Sequence, residues 1–178
     1  RIWHGMSLGP WMQLLREKNF RVYHKRYPLA ISVFPFSIIP SVAGAIQHAM
    51  YYEKARATPM VEDPIILTGH WRSGTTLLHE LFGLDQRLCF PTTYQCFAPH
   101  HFALSESWRT PWTEFVLPTR RPMDNMATGW ARPQEDEFAL ENLGIPSPYL
   151  SMMFPNHGEV YREYLTLAEL SPRERELW

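Results

Sequence analysis

An apolar run that leads through a glycine-bounded loop into a helical pattern constrains the fold more than any other feature. Residues 63–69 form a short, continuous apolar run punctuated by Pro64 and Gly69, which is typical of a strand buried on both faces. After the loop, one helical face collects four apolar residues: Leu77, Leu78, Leu81 and Phe82. Strand, loop and helix in this order predict the opening of an α/β unit.

The loop itself has the spacing of a phosphate-binding loop. Gly69 and Gly74 are separated by four residues, and between a strand and a helix such a loop cradles anions with backbone N–H groups and the helix N-terminus. The lysine of nucleotide-hydrolysing P-loops is absent, because its position is Thr75, and the basic residue of the loop is Arg72. The alternative is an ordinary strand-to-helix turn in which Gly74 relieves steric strain.

The position of the basic residue in the loop argues against nucleoside-triphosphate hydrolysis. Without the lysine, and without an acidic strand end to hold Mg²⁺, nucleoside-triphosphate hydrolysis lacks two of its usual parts. What remains is a cradle for one phosphate, with an arginine that reaches a neighbouring charged oxygen. A P-loop nucleotide kinase or hydrolase therefore stands as an alternative, which magnesium-dependent ATP turnover would support.

Three segments resemble a known family. Residues 64–78, PIILTGHWRSGTTLL, are similar to the 5′-phosphosulfate-binding loop of the sulfotransferases, in particular the bacterial-type family related to tyrosylprotein sulfotransferases. Residues 132–140, RPQEDEFAL, and 146–149, PSPY, are similar to the same family. The resemblance covers about residues 60–170, and the loop is its most specific part.

The resemblance implies an α/β fold, namely an incomplete P-loop-type three-layer sulfotransferase fold that is largely helical in this part of the chain. It also implies 3′-phosphoadenosine 5′-phosphosulfate as the donor, transfer of a sulfuryl group to a hydroxyl or amine, and no metal. By this carry-over the 5′-phosphate and sulfate of the donor contact five loop residues: Arg72, Ser73, Gly74, Thr75 and Thr76.

Two features of the family have no counterpart here. The Arg–Ser pair that binds the donor's 3′-phosphate in the second half of the family fold is not found in this sequence. The tyrosylprotein enzymes place a catalytic glutamate soon after the loop, whereas residues 90–96 contain no acid. The resemblance therefore leaves both the 3′-phosphate site and the base to be found elsewhere.

Glu135 and Asp136 are our candidates for the general base that accepts the acceptor's proton. A helix is predicted from Pro133 to just before Gly144, with acids in its first turn. The face that is predicted to be polar carries Gln134, Glu137 and Glu141. A second, largely apolar face carries Asp136, Leu140 and Leu143, with Glu135 at its edge. Burial would raise the pKa of a carboxylate toward the value that suits a general base, and Arg132 is a candidate ionic partner for one of the two acids. The alternative is that acids in a first helical turn only complement the helix dipole.

Other candidates carry less weight. His100 and His101 are the second choice for the base, although an isolated histidine is more often a hydrogen-bonding residue of the structure. Cys96 and His100 have poor zinc-ligand spacing and no companions. The two arginines at 120–121 either attract an anionic acceptor or form a solvated turn. The aromatic residues between 97 and 130 suit either an acceptor pocket or a core.

The N-terminal region predicts contact with a membrane. Residues 1–26 carry six basic residues and one acid, and residues 27–52 contain no Asp, Glu, Lys or Arg. This is the pattern of an anchor whose N-terminal side lies inside. Three prolines and several polar residues favour a kinked, buried or interfacial helix over a true span; the prolines are Pro28, Pro35 and Pro40.

The sequence divides into residues 1–58, a basic and apolar helical segment, and residues 59–178, the N-terminal part of a sulfotransferase domain. A second strand is predicted at 88–94. A helix beginning at Pro172 suggests that the chain is a piece of a longer protein, inactive alone, with the missing strands beyond Trp178.

The predicted function is therefore sulfuryl transfer to a small-molecule, lipid, carbohydrate or peptide acceptor. With 17 basic against 18 acidic residues, the charge balance gives no global case for nucleic-acid binding. The expected location is the cytoplasm or the periphery of a membrane. A non-catalytic, membrane-associated interaction protein that retains the fold is the remaining alternative.

Overall fold

The regular secondary structure of the described residues is helical, apart from isolated β-bridges. A computed structural model describes residues 5–60, 62–70, 72–121, 124–152, 154 and 170–177. The α-helices are α1 (Leu8–Glu17), α2 (Tyr27–Ala57), α3 (Thr75–Phe82), α4 (Thr93–Phe97), α5 (Phe102–Thr113), α6 (Glu137–Leu143) and α7 (Pro172–Leu177). Short 3₁₀ helices occupy His24–Arg26, Glu114–Val116 and Pro148–Met152.

The strand predicted at 63–69 is not formed. Within the described ranges, β-structure is limited to isolated bridges between Thr92 and Pro133 and between Arg120 and Ala127. Ile65 and Ile66 are 59% and 77% exposed, so the apolar run faces solvent instead of lying between two layers. A strand is stable only as a member of a sheet, and the described residues supply no second strand beside it.

The second predicted strand, 88–94, is wrong. Residues 93–97 form α4, because Thr92 and Gln95 make a capping box in which each side chain accepts a hydrogen bond from the other's backbone N–H, both at 3.2 Å. The Thr-x-x-Gln spacing was the signal for a helix start. The backbone around 130–134 pairs with the start of this helix, through Thr93 N–H to Arg132 O at 2.8 Å and Tyr94 N–H to Trp130 O at 3.0 Å.

That pairing also shifts the start of α6. The helix predicted from Pro133 begins at Glu137, because residues 130–134 run alongside α4. Its predicted end is confirmed: Gly144 adopts a left-handed conformation with φ 83°, which glycine tolerates best. The predicted helix start at Pro172 is confirmed as well.

The long helix α2 packs through one side only. The hydrophobic core joins α1 and α2 to the 3₁₀ helix near residue 150; its buried members are Met6, Trp11, Leu14, Leu15, Val33, Leu150 and Phe154. The stretch His24–Ala57 is long and apolar enough to cross a membrane, with mean hydropathy 2.0 over an 18-residue window. Only 17% of that window is buried, so α2 is not the core helix of this structure.

Candidate functional site

The glycine-bounded loop is a tight turn that closes on the start of α3. The backbone N–H and the hydroxyl of Ser73 both donate to the carbonyl of His70, at 3.1 and 2.6 Å. Arg72 has φ 64° and Gly74 has φ 95°, so the chain enters the left-handed region twice within three residues. Left-handed residues are one half of the alternating conformations from which anion-binding nests are built.

Each glycine of the motif has its own reason, which is a close approach at Gly69 and a positive φ at Gly74. A Cβ atom at Gly69 would lie 2.7 Å from Thr75 Cγ2 and 2.9 Å from Ser73 Oγ, so a side chain there would push the loop away from α3. Gly74 caps α3, and the first helical bond runs from Leu78 N–H to its carbonyl at 3.0 Å. The N–H groups of residues 75–77 therefore have no acceptor within the helix.

A second guanidinium lies against the loop. Arg121 is half-buried and its Nη1 donates to the hydroxyl of Thr76 at 3.2 Å, while Nε lies 3.8 Å from the carboxylate of Asp124. Its neighbour Arg120 is exposed and donates to the carbonyl of Asn125. The expectation that both arginines occupy a solvated turn is therefore wrong for Arg121. No local pattern indicates this contact, because the two partners are 45 residues apart.

Arg132 is paired, but not with the acids that follow it. Its Nη1 lies 2.8 Å from the carboxylate of Glu80, which is on α3 one turn after Thr76. The expectation that Arg132 holds Glu135 or Asp136 ionised is not met. The ion pair instead ties the segment before α6 to the helix that begins at the loop.

The two candidate bases occupy different environments. Asp136 is exposed and is the N-cap of α6, where its carboxylate accepts from the N–H of Glu137 at 3.1 Å. Glu135 is half-buried, and its carboxylate accepts a hydrogen bond from the hydroxyl of Tyr149 at 3.1 Å. Asp136 therefore has a sufficient structural role, whereas Glu135 is a carboxylate oriented by a second side chain.

The face of α6 predicted to be polar is turned inward. Glu141 is fully buried, and neither carboxylate oxygen has a hydrogen-bond partner among the described residues. Burial, and then the charge of Glu137, raise the pKa of Glu141 to about 7. Burial also raises the pKa of Glu137, opposed by a hydrogen bond from Ser147. The partners that pack on a helix decide which of its sides is buried, and the helical pattern of residues 133–144 alone does not reveal them.

We expect Glu141→Gln to remove a pH dependence of stability. The carboxyl group's pKa is higher folded than unfolded, so the wild-type free energy of unfolding falls as pH rises from about 4.5 to about 7, by on the order of 3 kcal/mol. The amide does not ionise, so this contribution should be lost in urea unfolding between pH 4.5 and 8, and only the decline that Glu137 contributes should remain. Glu53→Gln, on the exposed end of α2, should keep the wild-type slope; an unchanged slope in Glu141→Gln would contradict the assignment.

The side chains of the remaining titratable candidates are held by hydrogen bonds or by burial. His100 Nε2 lies 3.0 Å from the carbonyl of Asn142, and His101 Nδ1 lies 2.8 Å from Ser105 Oγ. Burial lowers the pKa of both histidines, with Arg109 adding to the effect on His101. Burial, and then the charges of the two candidate bases, raise the pKa of the Cys96 thiol to about 12. Among the described residues, no group of three or more His, Cys, Asp or Glu side chains is placed to hold a metal ion.

Aromatic residues of the middle segment fall into two groups. A chain of ring contacts joins α4 to α6 and the segment after it, through Tyr94, Trp130, Phe97, Phe138 and Tyr149. The other group, Trp108, Trp112 and Phe115, is 61%, 78% and 86% exposed. Core packing therefore accounts for the first group, which supports Tyr149 where it meets Glu135.

Comparison with known proteins identifies the family. The chain is 44% identical over 177 residues to omega-hydroxy-beta-dihydromenaquinone-9 sulfotransferase Stf3 of Mycobacterium bovis and to the protein of the same name from Mycobacterium tuberculosis. The match covers 99% of this chain and 45% of each relative, so the chain spans less than half their length. No family model matches the chain, and no solved structure matches it either. On this identity, together with the loop that begins α3, the chain belongs to the sulfotransferase family.

Proposed function

We propose that the protein transfers a sulfuryl group from 3′-phosphoadenosine 5′-phosphosulfate to a hydroxyl group of a lipid acceptor. The observation that carries the proposal is the space at the N-terminus of α3, which is bordered by the loop that contains Arg72 and by Arg121 beside Thr76. The chain's relationship to named sulfotransferases supports assigning that space to a phosphosulfate instead of a nucleoside triphosphate.

The loop suits the phosphosulfate end of the donor. The N–H groups at the start of α3 favour a negative charge. Arg72 is exposed at the loop surface, and Ser73, Thr75 and Thr76 contribute hydroxyl groups. Arg121 adds a second fork of donors beside Thr76. These residues would hold the 5′-phosphate and sulfate, and residues elsewhere in the longer protein would hold the 3′-phosphate.

The proposed reaction breaks the bond between sulfur and the bridging phosphate oxygen and forms a bond between sulfur and the acceptor oxygen. The acceptor's proton passes to a carboxylate, for which we propose Glu135, with Asp136 as the second candidate. Tyr149 orients Glu135 through its hydroxyl. Arg72 stabilises the negative charge that develops on the departing phosphate, a role for which no metal is needed.

The acceptor proposal rests on the relative's name and on α2. The relatives are named for an omega-hydroxylated dihydromenaquinone, a lipid that carries a hydroxyl group. The present chain exposes an apolar helix that suits a protein working at the membrane where such lipids reside. We therefore propose a hydrophobic alcohol as acceptor and a location at the membrane surface, in preference to a carbohydrate or peptide acceptor.

The fold proposal follows from the exposed apolar surfaces. Ile65 and Ile66 before the loop, and Leu77 and Leu81 after it, are each more than half exposed. A sheet that pairs with residues 63–69 would cover them, as the three-layer P-loop-type fold requires. We propose that the whole protein supplies that sheet.

Transfer of ³⁵S from labelled donor tests the proposed function. The whole protein, incubated with the donor and a menaquinol bearing a terminal hydroxyl group, should form a labelled lipid, and the same lipid without that group should stay unlabelled. No labelled product, together with magnesium-dependent release of phosphate from ATP, would support a nucleotide kinase or hydrolase instead. Absence of both activities would support a non-catalytic membrane protein.

The paired arginines supply a matched test of donor binding. We expect Arg121→Ala to weaken binding of 3′-phosphoadenosine 5′-phosphate about tenfold, because it removes a charge-assisted donor worth about 1.5 kcal/mol or more. Arg120→Ala removes an equal charge from the adjacent residue and should change the Kd less than twofold. Isothermal titration calorimetry measures both, and equal losses in the two variants would show a general electrostatic effect only.

A further inference from the structure

The helix α2 has two sides with opposite surroundings. Val33, Ser37 and Pro40 are buried, and Val33 belongs to the core that α2 shares with α1. Further along the same side, a Cβ at Gly44 would lie 3.2 Å from His100 Cβ, and the side chain of Gln47 accepts from the N–H of Ala103 at 2.8 Å. Spacings of four and three residues keep all five on one helical face, so protein covers this face along most of the helix.

The opposite side is apolar and uncovered. Ile31, Ile38, Val42 and Ile46 are 64%, 54%, 57% and 49% exposed. At about 100° per residue, these four lie across the helix axis from the covered face. A face with this composition and width matches the apolar side of a helix that lies in a membrane interface.

A transmembrane orientation conflicts with the position of α1. This helix contacts the middle of α2, where Trp11 packs edge-on against Phe34 at 6.4 Å and the N–H of Leu8 bonds to Ser41 Oγ at 2.8 Å. The outer side of α1 exposes Gln13, Arg16 and Glu17. If α2 crossed the bilayer, these groups would lie at the depth of the hydrocarbon, where charged side chains are costly.

Both ends of α2 carry exposed cations. Lys25 and Arg26 precede the helix, and Lys54 and Arg56 lie in its last turn. In a helix parallel to the membrane all four reach the same layer of lipid headgroups. Anionic headgroups attract such residues, so the charges complement the apolar face between them.

We propose that α2 lies in the plane of the membrane, inserting its exposed isoleucine and valine face into one leaflet while the covered face carries the rest of the protein. The partner is an anionic phospholipid bilayer. This rests on the membrane location proposed above, but its readout is independent of sulfate transfer, so either proposal can fail alone.

Labelling from each side of the membrane separates the two orientations. His24→Cys and Thr58→Cys, made separately in a Cys89→Ser background, place one thiol at each end of α2; Cys96 is buried and remains unreactive. In the whole protein, an impermeant maleimide should label both positions in inside-out membrane vesicles and neither in spheroplasts. Labelling of the two ends from opposite sides, or recovery of the protein wholly outside the membrane fraction, would overturn the proposal.

A vesicle assay tests the inserted face directly. On liposomes of phosphatidylcholine and phosphatidylglycerol at 3:1, Ile38→Asp combined with Val42→Asp should lower the membrane-bound to free ratio of the whole protein at least tenfold. Leu84→Asp, at a 76% exposed position outside α2, should leave it within twofold. Unchanged binding of the double variant, or equal loss in both variants, would overturn the assignment of this face; circular dichroism verifies that each remains folded.

Discussion

Arg72→Ala is expected to lower kcat for sulfate transfer by about 10²–10³-fold, because loss of one preorganised donor to a developing charge costs about 3–4 kcal/mol. The acceptor's KM should change little, since the guanidinium acts on the departing phosphate and not on the acceptor. Initial rates with saturating ³⁵S-labelled donor and varied acceptor concentration measure both constants. A KM effect without a kcat effect would place Arg72 in substrate binding only.

Two controls separate charge from backbone conformation at this position. Arg72 has φ 64°, a conformation that asparagine tolerates better than alanine. Arg72→Asn should therefore lose as much activity as Arg72→Ala if the guanidinium is responsible, and should recover activity if backbone strain is responsible. Arg87→Ala removes an exposed arginine paired with Asp85 and should leave the rate unchanged.

Glu135→Gln is expected to lower kcat by about 10²–10⁴-fold, the contribution typical of a positioned general base. The amide keeps the size of the side chain but cannot take the acceptor's proton. Asp136→Asn is the matched comparison, because asparagine caps a helix as well as aspartate does. It should retain kcat within a fewfold, as measured by the same transfer assay.

A variant of Tyr149 distinguishes a positioned base from a merely structural acid. Tyr149→Phe should lower kcat without abolishing activity, because it removes the hydroxyl that orients the Glu135 carboxylate. If Asp136→Asn loses activity while Glu135→Gln retains it, the two assignments must be exchanged.

The local sequence predicts local structure well in this chain. The helix after the loop, the glycine that ends α6 and the proline that begins α7 are all set by residues within a few positions of the feature. The capping box at Thr92 was equally local, and the apolar content of residues 88–94 masked it. Helix formation depends on neighbours in the sequence, so these elements are accessible from the sequence alone.

Features that depend on distant partners were not accessible. Residues 63–69 need another strand, and their own pattern cannot supply one. Arg121 reaches Thr76, and Arg132 reaches Glu80, across 45 and 52 residues of chain. The burial of Glu141 depends on the elements that pack around α6, which include α4, and these are distant in the sequence. The local elements were therefore predictable, but the pairing of side chains from distant parts of the chain was not.

The conformation of Arg72 has a consequence for how this loop is maintained by selection. A left-handed conformation costs a residue with a Cβ roughly 1 kcal/mol, and glycine would remove that penalty. Selection for thermal robustness alone would therefore drive the position toward glycine. On the proposed role of Arg72, the loop gives up this stability to place a guanidinium beside the donor, and stabilised variants obtained by screening on heat resistance should be checked first for losses at this residue.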